Sequence, residues 1–274
     1  AEQLAITNSR VDGLEARLNN FEAGSFSETT TASFSADFAI GAVSGKGVTS
    51  SVTDGDETLQ AVYGFQIDLN TSFTGEDSLD ISLDAGNGAS TGPLAEFDLN
   101  GGNDHLTVDG VSYTFPLGSA TAFVGDNSDG SSLFTTACAY GGPSNTLDDC
   151  ANVSAGITGG GVAIGAAYEF DSGLSAAVGA QFTETGIATE ENDDSYALNL
   201  AYTADSYGVS ITYASVESGT SDDTFTALNG YYSFDNGLNI SAGYEIGDLG
   251  GVAATVDETE AYFLGVNGEV GPGE

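Results

Sequence analysis

Phe65-Gln66-Ile67-Asp68-Leu69-Asn70, then Thr74-Gly75-Glu76-Asp77, then Leu79-Asp80-Ile81-Ser82-Leu83-Asp84: these residues decide the fold. Every second residue is aliphatic or aromatic, and every residue between is polar or acidic. A period of two places the two sets on opposite faces of a strand, and the Thr-Gly-Glu-Asp stretch between the runs reads as their turn. The spacing therefore predicts an antiparallel hairpin with an aliphatic outer face and an acidic inner face. Upstream, Ala32-Ser33-Phe34-Ser35-Ala36-Asp37-Phe38-Ala39-Ile40 repeats the pattern, with apolar residues at even positions.

Working outward, further strands are expected at 94–99, 105–115, 118–125, 160–170, 174–184, 194–203, 207–216, 224–234, 238–246 and 259–268. Asp171-Ser172-Gly173, Ala204-Asp205-Ser206 and Asp235-Asn236-Gly237 read as tight turns. The stretches 47–60, 86–93, 126–158, 185–193, 217–223 and 247–257 read as longer, acidic and Gly/Ser-rich loops. Short turns alternating with long loops, between strands of roughly ten residues, is the rhythm of an antiparallel transmembrane β-barrel. A soluble sandwich also repeats strands but lacks this rhythm. Aromatics gather near strand ends, among them Phe73, Tyr168, Phe170, Tyr202, Tyr232 and Phe234. Interface girdles explain them, and so does ordinary β-propensity. The count is about thirteen strands, whereas single-chain barrels have even counts. Either closing strands lie beyond Glu274 or one strand is miscounted.

Composition agrees with a barrel and excludes other classes. The 274 residues contain 3 Lys plus Arg and 41 Asp plus Glu, for a net charge of −38. Such a chain has no cationic surface for nucleic acid and no basic patch for anionic lipid. No apolar run is long enough for a membrane helix, which leaves a barrel open because its signal is alternation. Residue 1 is not Met, and no leader of the basic-then-apolar kind precedes Ala5, so any signal peptide is expected either to have been removed or to lie outside this sequence.

Residues 1–24 are of another kind. Leu4, Val11, Leu14, Leu18 and Phe21 form an a/d seam, with Arg10 and Arg17 on a solvated face. The seam reads as the end of an oligomerising stalk, or as one amphipathic helix packed on its own chain. Cys138 and Cys150 suit a disulfide in an oxidising compartment, with two free thiols as the alternative.

The residues resemble those of cyanobacterial outer-membrane porins, the carbohydrate-selective-porin-like proteins often called iron-uptake porins, in their marine picocyanobacterial form. The resemblance rests on Val11-Asp12-Gly13-Leu14-Glu15-Ala16-Arg17-Leu18 running into Phe26-Ser27-Glu28-Thr29-Thr30, and on Leu69-Asn70-Thr71-Ser72-Phe73-Thr74-Gly75 followed by Leu83-Asp84-Ala85-Gly86-Asn87. Tyr113-Thr114-Phe115-Pro116-Leu117-Gly118 and Cys138-Ala139-Tyr140-Gly141-Gly142-Pro143-Ser144, leading to Asp148-Asp149-Cys150, complete it. It covers most of residues 10–160; beyond that only the strand-turn rhythm is similar.

The resemblance implies a signal peptide, a peptidoglycan-binding S-layer-homology domain, a coiled coil and a barrel of about sixteen strands, assembled as a homotrimer in a Gram-negative-type outer membrane. It divides this chain into the end of a periplasmic stalk at 1–24 and a porin barrel at 25–274. The wall-binding domain and the closing strands would lie outside the chain, which makes it a fragment. Family naming points to carbohydrates and small inorganic ions, iron included; no residue here marks an iron site.

The chemistry expected is passive diffusion rather than catalysis. His105 is the single histidine, readable as a metal ligand or base, or as a surface residue, since no second His accompanies it. Cys138 and Cys150 lack a further ligand pair for zinc, and Gly159-Gly160-Gly161 has no Lys to make a phosphate loop. No cofactor is expected. Asp54-Gly55-Asp56-Glu57, Asp126-Asn127-Ser128-Asp129, Glu190-Glu191-Asn192-Asp193-Asp194 and Asp222-Asp223 could take Ca²⁺, or are solvated loops, since none has EF-hand spacing. Asp37, Gln66, Asp68, Asn70, Asp80, Ser82 and Asp84 are the expected lumen lining. Segment 126–158 is expected to fold inward as a constriction braced by Cys138 and Cys150, with Asp126, Asp129, Asp148 and Asp149 as an acidic ring that favours cations. The competing reading is a secreted or cell-surface acidic β-rich structural or adhesive protein with calcium in its loops.

Overall fold

The computed structural model describes residues 30–42, 58–88, 97, 99–101, 104–140, 150–159, 161–187, 194–218, 221–250 and 257–268. Twelve strands form one antiparallel sheet in chain order: β1 (Thr30–Gly41), β2 (Gln60–Thr71), β3 (Ser78–Gly86), β4 (Thr107–Leu117), β5 (Ala120–Asp126), β6 (Val162–Glu169), β7 (Leu174–Phe182), β8 (Ser195–Thr203), β9 (Tyr207–Ser218), β10 (Ser221–Ser233), β11 (Asn239–Asp248) and β12 (Glu258–Asn267). Each strand pairs with its sequence neighbours, and β1 and β12 are not paired with each other. Among the described residues no helix is long and apolar enough to cross a membrane, which says nothing of strands.

Residues directly opposite in a ladder share a face, so the register shows how the alternation adds up. One face runs Phe34–Ile67–Leu83 and Leu79–Tyr113–Val124–Ile164–Ala180, then Val178–Leu198 and Leu200–Ile211–Leu228–Tyr244–Tyr262. The other runs Ser33–Asp68–Ser82, Asn70–Asp80–Ser112–Gly125–Ala163 and Ala177–Asn199–Thr212–Ala227–Glu245–Ala261. The first face is apolar and open: Phe38, Leu198, Leu200, Leu228 and Leu264 are all exposed. A contiguous apolar surface of this extent does not stay in water. Most of the buried residues lie on the second face, where Ala155 and Ile157 of the β5–β6 loop pack on Ala197, Ala214, Phe225 and Ala227.

Turns and aromatics follow the expected rhythm at one end. Short connections join β4 to β5, β6 to β7, β8 to β9 and β10 to β11. Beside them lie the ring pairs Tyr168–Phe170 at 4.7 Å, Tyr202–Tyr207 at 5.9 Å and Tyr232–Phe234 at 4.8 Å. Near the opposite end lie Phe38–Tyr63 at 6.2 Å and Phe182–Tyr196 at 5.8 Å.

Two expectations are corrected. The strand expected at 94–99 is not in the sheet, because β3 pairs directly with β4. Phe97 and Leu99, the described residues of that stretch, are outside any strand. The Phe97 ring lies against Gly41, and Asn100 lies over Gly64 and Gly86. Alternation alone therefore does not make a strand here: the Phe97 ring packs on β1 instead. The count among the described residues is thus even. The loop expected at 217–223 is instead the tip of a long hairpin, with Asp222 opposite Glu217 and Asp223 opposite Val216. The stalk residues Leu4, Val11, Leu14, Leu18 and Phe21 lie outside the described residues.

Candidate functional site

The polar face has two contrasting arcs. On β1–β3 all seven residues read as lining share it: Asp37 is opposite Gly64, Gln66 opposite Asp84, Asp68 opposite Ser82, and Asn70 opposite Asp80. Their contacts are among themselves. Asp68 accepts from Gln66 Nε2 at 2.7 Å, Ser82 Oγ at 2.9 Å and Ser33 Oγ at 3.4 Å. Asp80 accepts from Asn70 Nδ2 at 2.6 Å and Ser78 Oγ at 2.7 Å, and Asp84 from Thr107 Oγ1 at 2.9 Å. Every donor is neutral. The described residues contain no Lys or Arg, since Arg10, Arg17 and Lys46 all fall outside them, so no fixed cation offsets these carboxylates there.

A residue that the sequence reading missed joins them. The β3–β4 ladder slips between Ser82 and Leu83: Ser82 faces Gly110 and Leu83 faces Val108, which leaves Asp109 as an extra residue. A β-bulge re-aims its side chain against the parity of the strand. Asp109 thereby comes within electrostatic reach of Asp68, Asp84 and Asp129. Asn127 Nδ2 holds the bulge by donating to the Asp109 carbonyl.

The other arc is covered by the β5–β6 loop. Its outgoing limb is extended and donates every second N–H to the wall: Thr135 to Asn199 Oδ1 at 3.0 Å, Ala137 to Ser210 Oγ at 2.8 Å, and Ala139 to Ser241 Oγ at 2.9 Å. Asn199 also donates to Thr212 Oγ1 at 2.9 Å and to the Thr135 carbonyl at 3.3 Å. Its return limb is held by Asn229 Nδ2 on the Cys150 carbonyl at 2.7 Å and by the Glu245 carboxylate. At the neck, Gln181 Nε2 donates to the Ser128 carbonyl at 3.1 Å and to the Gly159 carbonyl. Cys138 and Cys150 are disulfide-bonded, with Cα atoms 6.3 Å apart, and tie the two limbs. Two wall glycines are seats for loop backbone: a Cβ on Gly179 would overlap the Gly130 carbonyl, and one on Gly243 the Cys150 carbonyl.

The four loop aspartates fall out differently. Asp129 is exposed, and its Oδ1 accepts from Gly159 N at 3.1 Å. Asp126 ends β5 opposite Val111 and Val162, on the parity of the aliphatic face, because position 126 is even in a strand whose polar face carries the odd residues. Asp148 and Asp149 lie outside the described residues. Of the acidic stretches considered for calcium, 54–57 and 190–193 lie outside them too. Among the described residues no group of three or more His, Cys, Asp or Glu is placed to hold a metal ion.

At the short-turn end, the β2–β3 turn is organised by Asp77. It accepts from Tyr113 OH at 2.6 Å, Phe73 N at 3.0 Å, Thr74 N and Thr74 Oγ1 at 2.7 Å each, and Ser72 Oγ at 2.8 Å. The Tyr113 hydroxyl above all, with the Thr74 and Ser72 donors, holds this carboxyl well below the usual carboxylate range.

An all-antiparallel sheet, apolar outside and polar inside with one long loop laid across the interior, defines the class of transmembrane-type β-barrels. Solved structures agree on the fold. A variant of the Rh. blastica porin matches with a TM-score of 0.57 at 11% identity, covering 88% of this chain and 80% of its own. Pseudomonas putida OprB matches with a TM-score of 0.57 at 11% identity, covering 85% of this chain and 70% of its own. No family model matches the chain. An uncharacterized protein of Nostoc sp. (strain PCC 7120) is 33% identical over 137 residues, 44% of this chain; the match spans 23% of that relative's length.

Proposed function

We propose that this chain forms the barrel of an outer-membrane porin in a Gram-negative-type envelope: a water-filled channel for passive diffusion of small solutes and inorganic ions, with a preference for cations. One observation carries the reading. The loop takes up the β7–β11 arc of the polar face, so the open passage runs along β1–β4, past Asp37, Asp68, Asp80, Asp84 and Asp109, whose hydrogen-bond donors are neutral where they are seen. Fixed carboxylates beside a narrow aqueous path concentrate cations and repel anions. Asp129 faces that path from the loop neck, and Asp148 and Asp149 are candidates for the same ring. Asp126, on the aliphatic parity at the end of β5, is left out of that ring. A barrel in hydrocarbon needs both edges paired, because an open edge costs several kcal/mol for each unpaired backbone group. A homotrimer, a stalk carried by residues 1–24 and a peptidoglycan anchor follow from the family resemblance.

Planar-bilayer recording under a KCl gradient tests this. Stepwise ohmic conductance with a cation-selective zero-current potential is expected, and Asp→Asn changes at 68, 84, 109 and 129 together move that potential towards zero. Anion preference would sink the charge assignment while keeping the channel. A protein that stays soluble without detergent and carries no current would favour the acidic surface protein with calcium-filled loops.

A further inference from the structure

In Ser241-Ala242-Gly243-Tyr244-Glu245 of β11, all three polar-face positions touch the loop. Ser241 Oγ accepts from Ala139 N at 2.9 Å, next to Cys138 on the outgoing limb. The Cys150 carbonyl sits on Gly243. Glu245 accepts from Ser154 N through both oxygens, at 3.1 and 2.9 Å, and from Ala155 N at 2.8 Å. One strand therefore grips both limbs, on either side of the disulfide.

Glu245 differs from the other contacts in kind. It is 4% exposed, and its neighbours in register are Ala227 and Ala261. A buried carboxylate is tolerated only when its oxygens are taken up, and charge-assisted hydrogen bonds are the strong ones. Two successive backbone N–H groups form a cradle of the kind that binds anions. Ala155, which supplies one of them, is fully buried in the apolar cluster under the loop. The position of the return limb and the burial of the carboxylate thus depend on each other.

We infer that Glu245 is the positioning residue of the constriction: it latches the return limb to β11 and so sets the width of the passage beside β1–β4. The inference rests on the channel reading above. Single-channel recording of the full chain tests it, with folding checked by the heat-dependent gel shift of barrels. Glu245→Ala is expected to show a second, larger conductance level occupied at least about tenfold more often than in the wild type, the factor that loss of one charge-assisted hydrogen bond supplies. Glu245→Gln keeps one acceptor oxygen and lies between. Ser241→Ala, which removes one neutral bond, changes the occupancy least. If Glu245→Ala does not fold, Glu245→Gln and Gly243→Ala decide the matter, the latter by displacing the Cys150 carbonyl while leaving the carboxylate in place. Folded Glu245 variants with wild-type level occupancy overturn the inference. A wild type without channels overturns the porin reading instead.

Discussion

Arginine placed at Leu200 separates a lipid-facing wall from a merely exposed one. Leu200 lies on the aliphatic face of β8, 51% exposed, opposite Ala176 and Ile211, and Ile211 is opposite Leu228. On the same face of β8, Tyr196 and Tyr202 lie near the two ends. They are 202 − 196 = 6 residues apart, or about 20 Å along the strand at roughly 3.3 Å per residue, which for a strand tilted by about 40° is about 15 Å along the membrane normal and fits inside the ~25 Å apolar band of an outer-membrane barrel. Leu200 falls between them. Arginine near the midplane of such a band costs about 2–4 kcal/mol and near its edge about 0–1. At about 1.36 kcal/mol per tenfold, the first range is a loss of roughly 30- to 900-fold in the folding equilibrium. Leu174→Arg is the control, because Leu174 is opposite Tyr202 at the edge of the band. Equilibrium unfolding of both variants from lipid vesicles, followed by tyrosine fluorescence since the chain has no Trp, gives the two costs. If Leu200→Arg costs no more than Leu174→Arg, the face is not in hydrocarbon and the assignment of inside and outside fails.

Three further outcomes are expected. Asn199→Ala leaves Thr135 N and Thr212 Oγ1 without their partner where Asn199 itself is 2% exposed; at about 1–3 kcal/mol for an unsatisfied buried group, amide exchange at Thr135 speeds up roughly 5- to 150-fold, and unchanged protection counts against the docked limb. Gly179→Val drives a side chain into the Gly130 carbonyl, so the neck lifts and single-channel current becomes larger or noisier, whereas wild-type traces would show that the seat is unimportant. Asp77 titrates lower in the folded state than its unfolded value of about 3.9. It therefore stabilises the fold in full above that pH, and the contribution drains away as pH falls through the lower folded value. The melting-temperature gap between wild type and Asp77→Ala should be constant at neutral pH and narrow below about pH 4, and a gap that widens there contradicts the sign.

What the sequence makes legible is whatever depends on period and punctuation. The Phe65–Asp84 hairpin, the aliphatic and acidic faces and most strands follow from alternation, because one residue of slip would exchange the faces. Segment 94–99 shows the limit: Leu94-Ala95-Glu96-Phe97-Asp98-Leu99 alternates, yet Phe97 packs on Gly41 while β3 goes straight to β4. Asp109 is invisible to parity because a bulge resets it. The loop's direction could be expected from its length and paired cysteines, but not its wall partners, since Thr135 meets Asn199 and Ala139 meets Ser241 across long stretches of chain. A usable signal is present in Gly179 and Gly243, glycines on the polar parity of strands that otherwise carry Ser, Ala, Asn, Gln or Glu there, Gly247 apart. Such gaps mark places where backbone, rather than a side chain, fills the wall.

The central claim is that the polar face encloses water while the aliphatic face meets lipid. Osmotic swelling of liposomes that carry the protein, in neutral solutes of graded size, tests it without reference to charge. The account predicts swelling that is fast for the smallest solutes and falls steeply with solute radius, as expected of a passage narrowed by the Cys138–Cys150 loop. Liposomes that hold the folded protein and swell no faster than empty ones would contradict it.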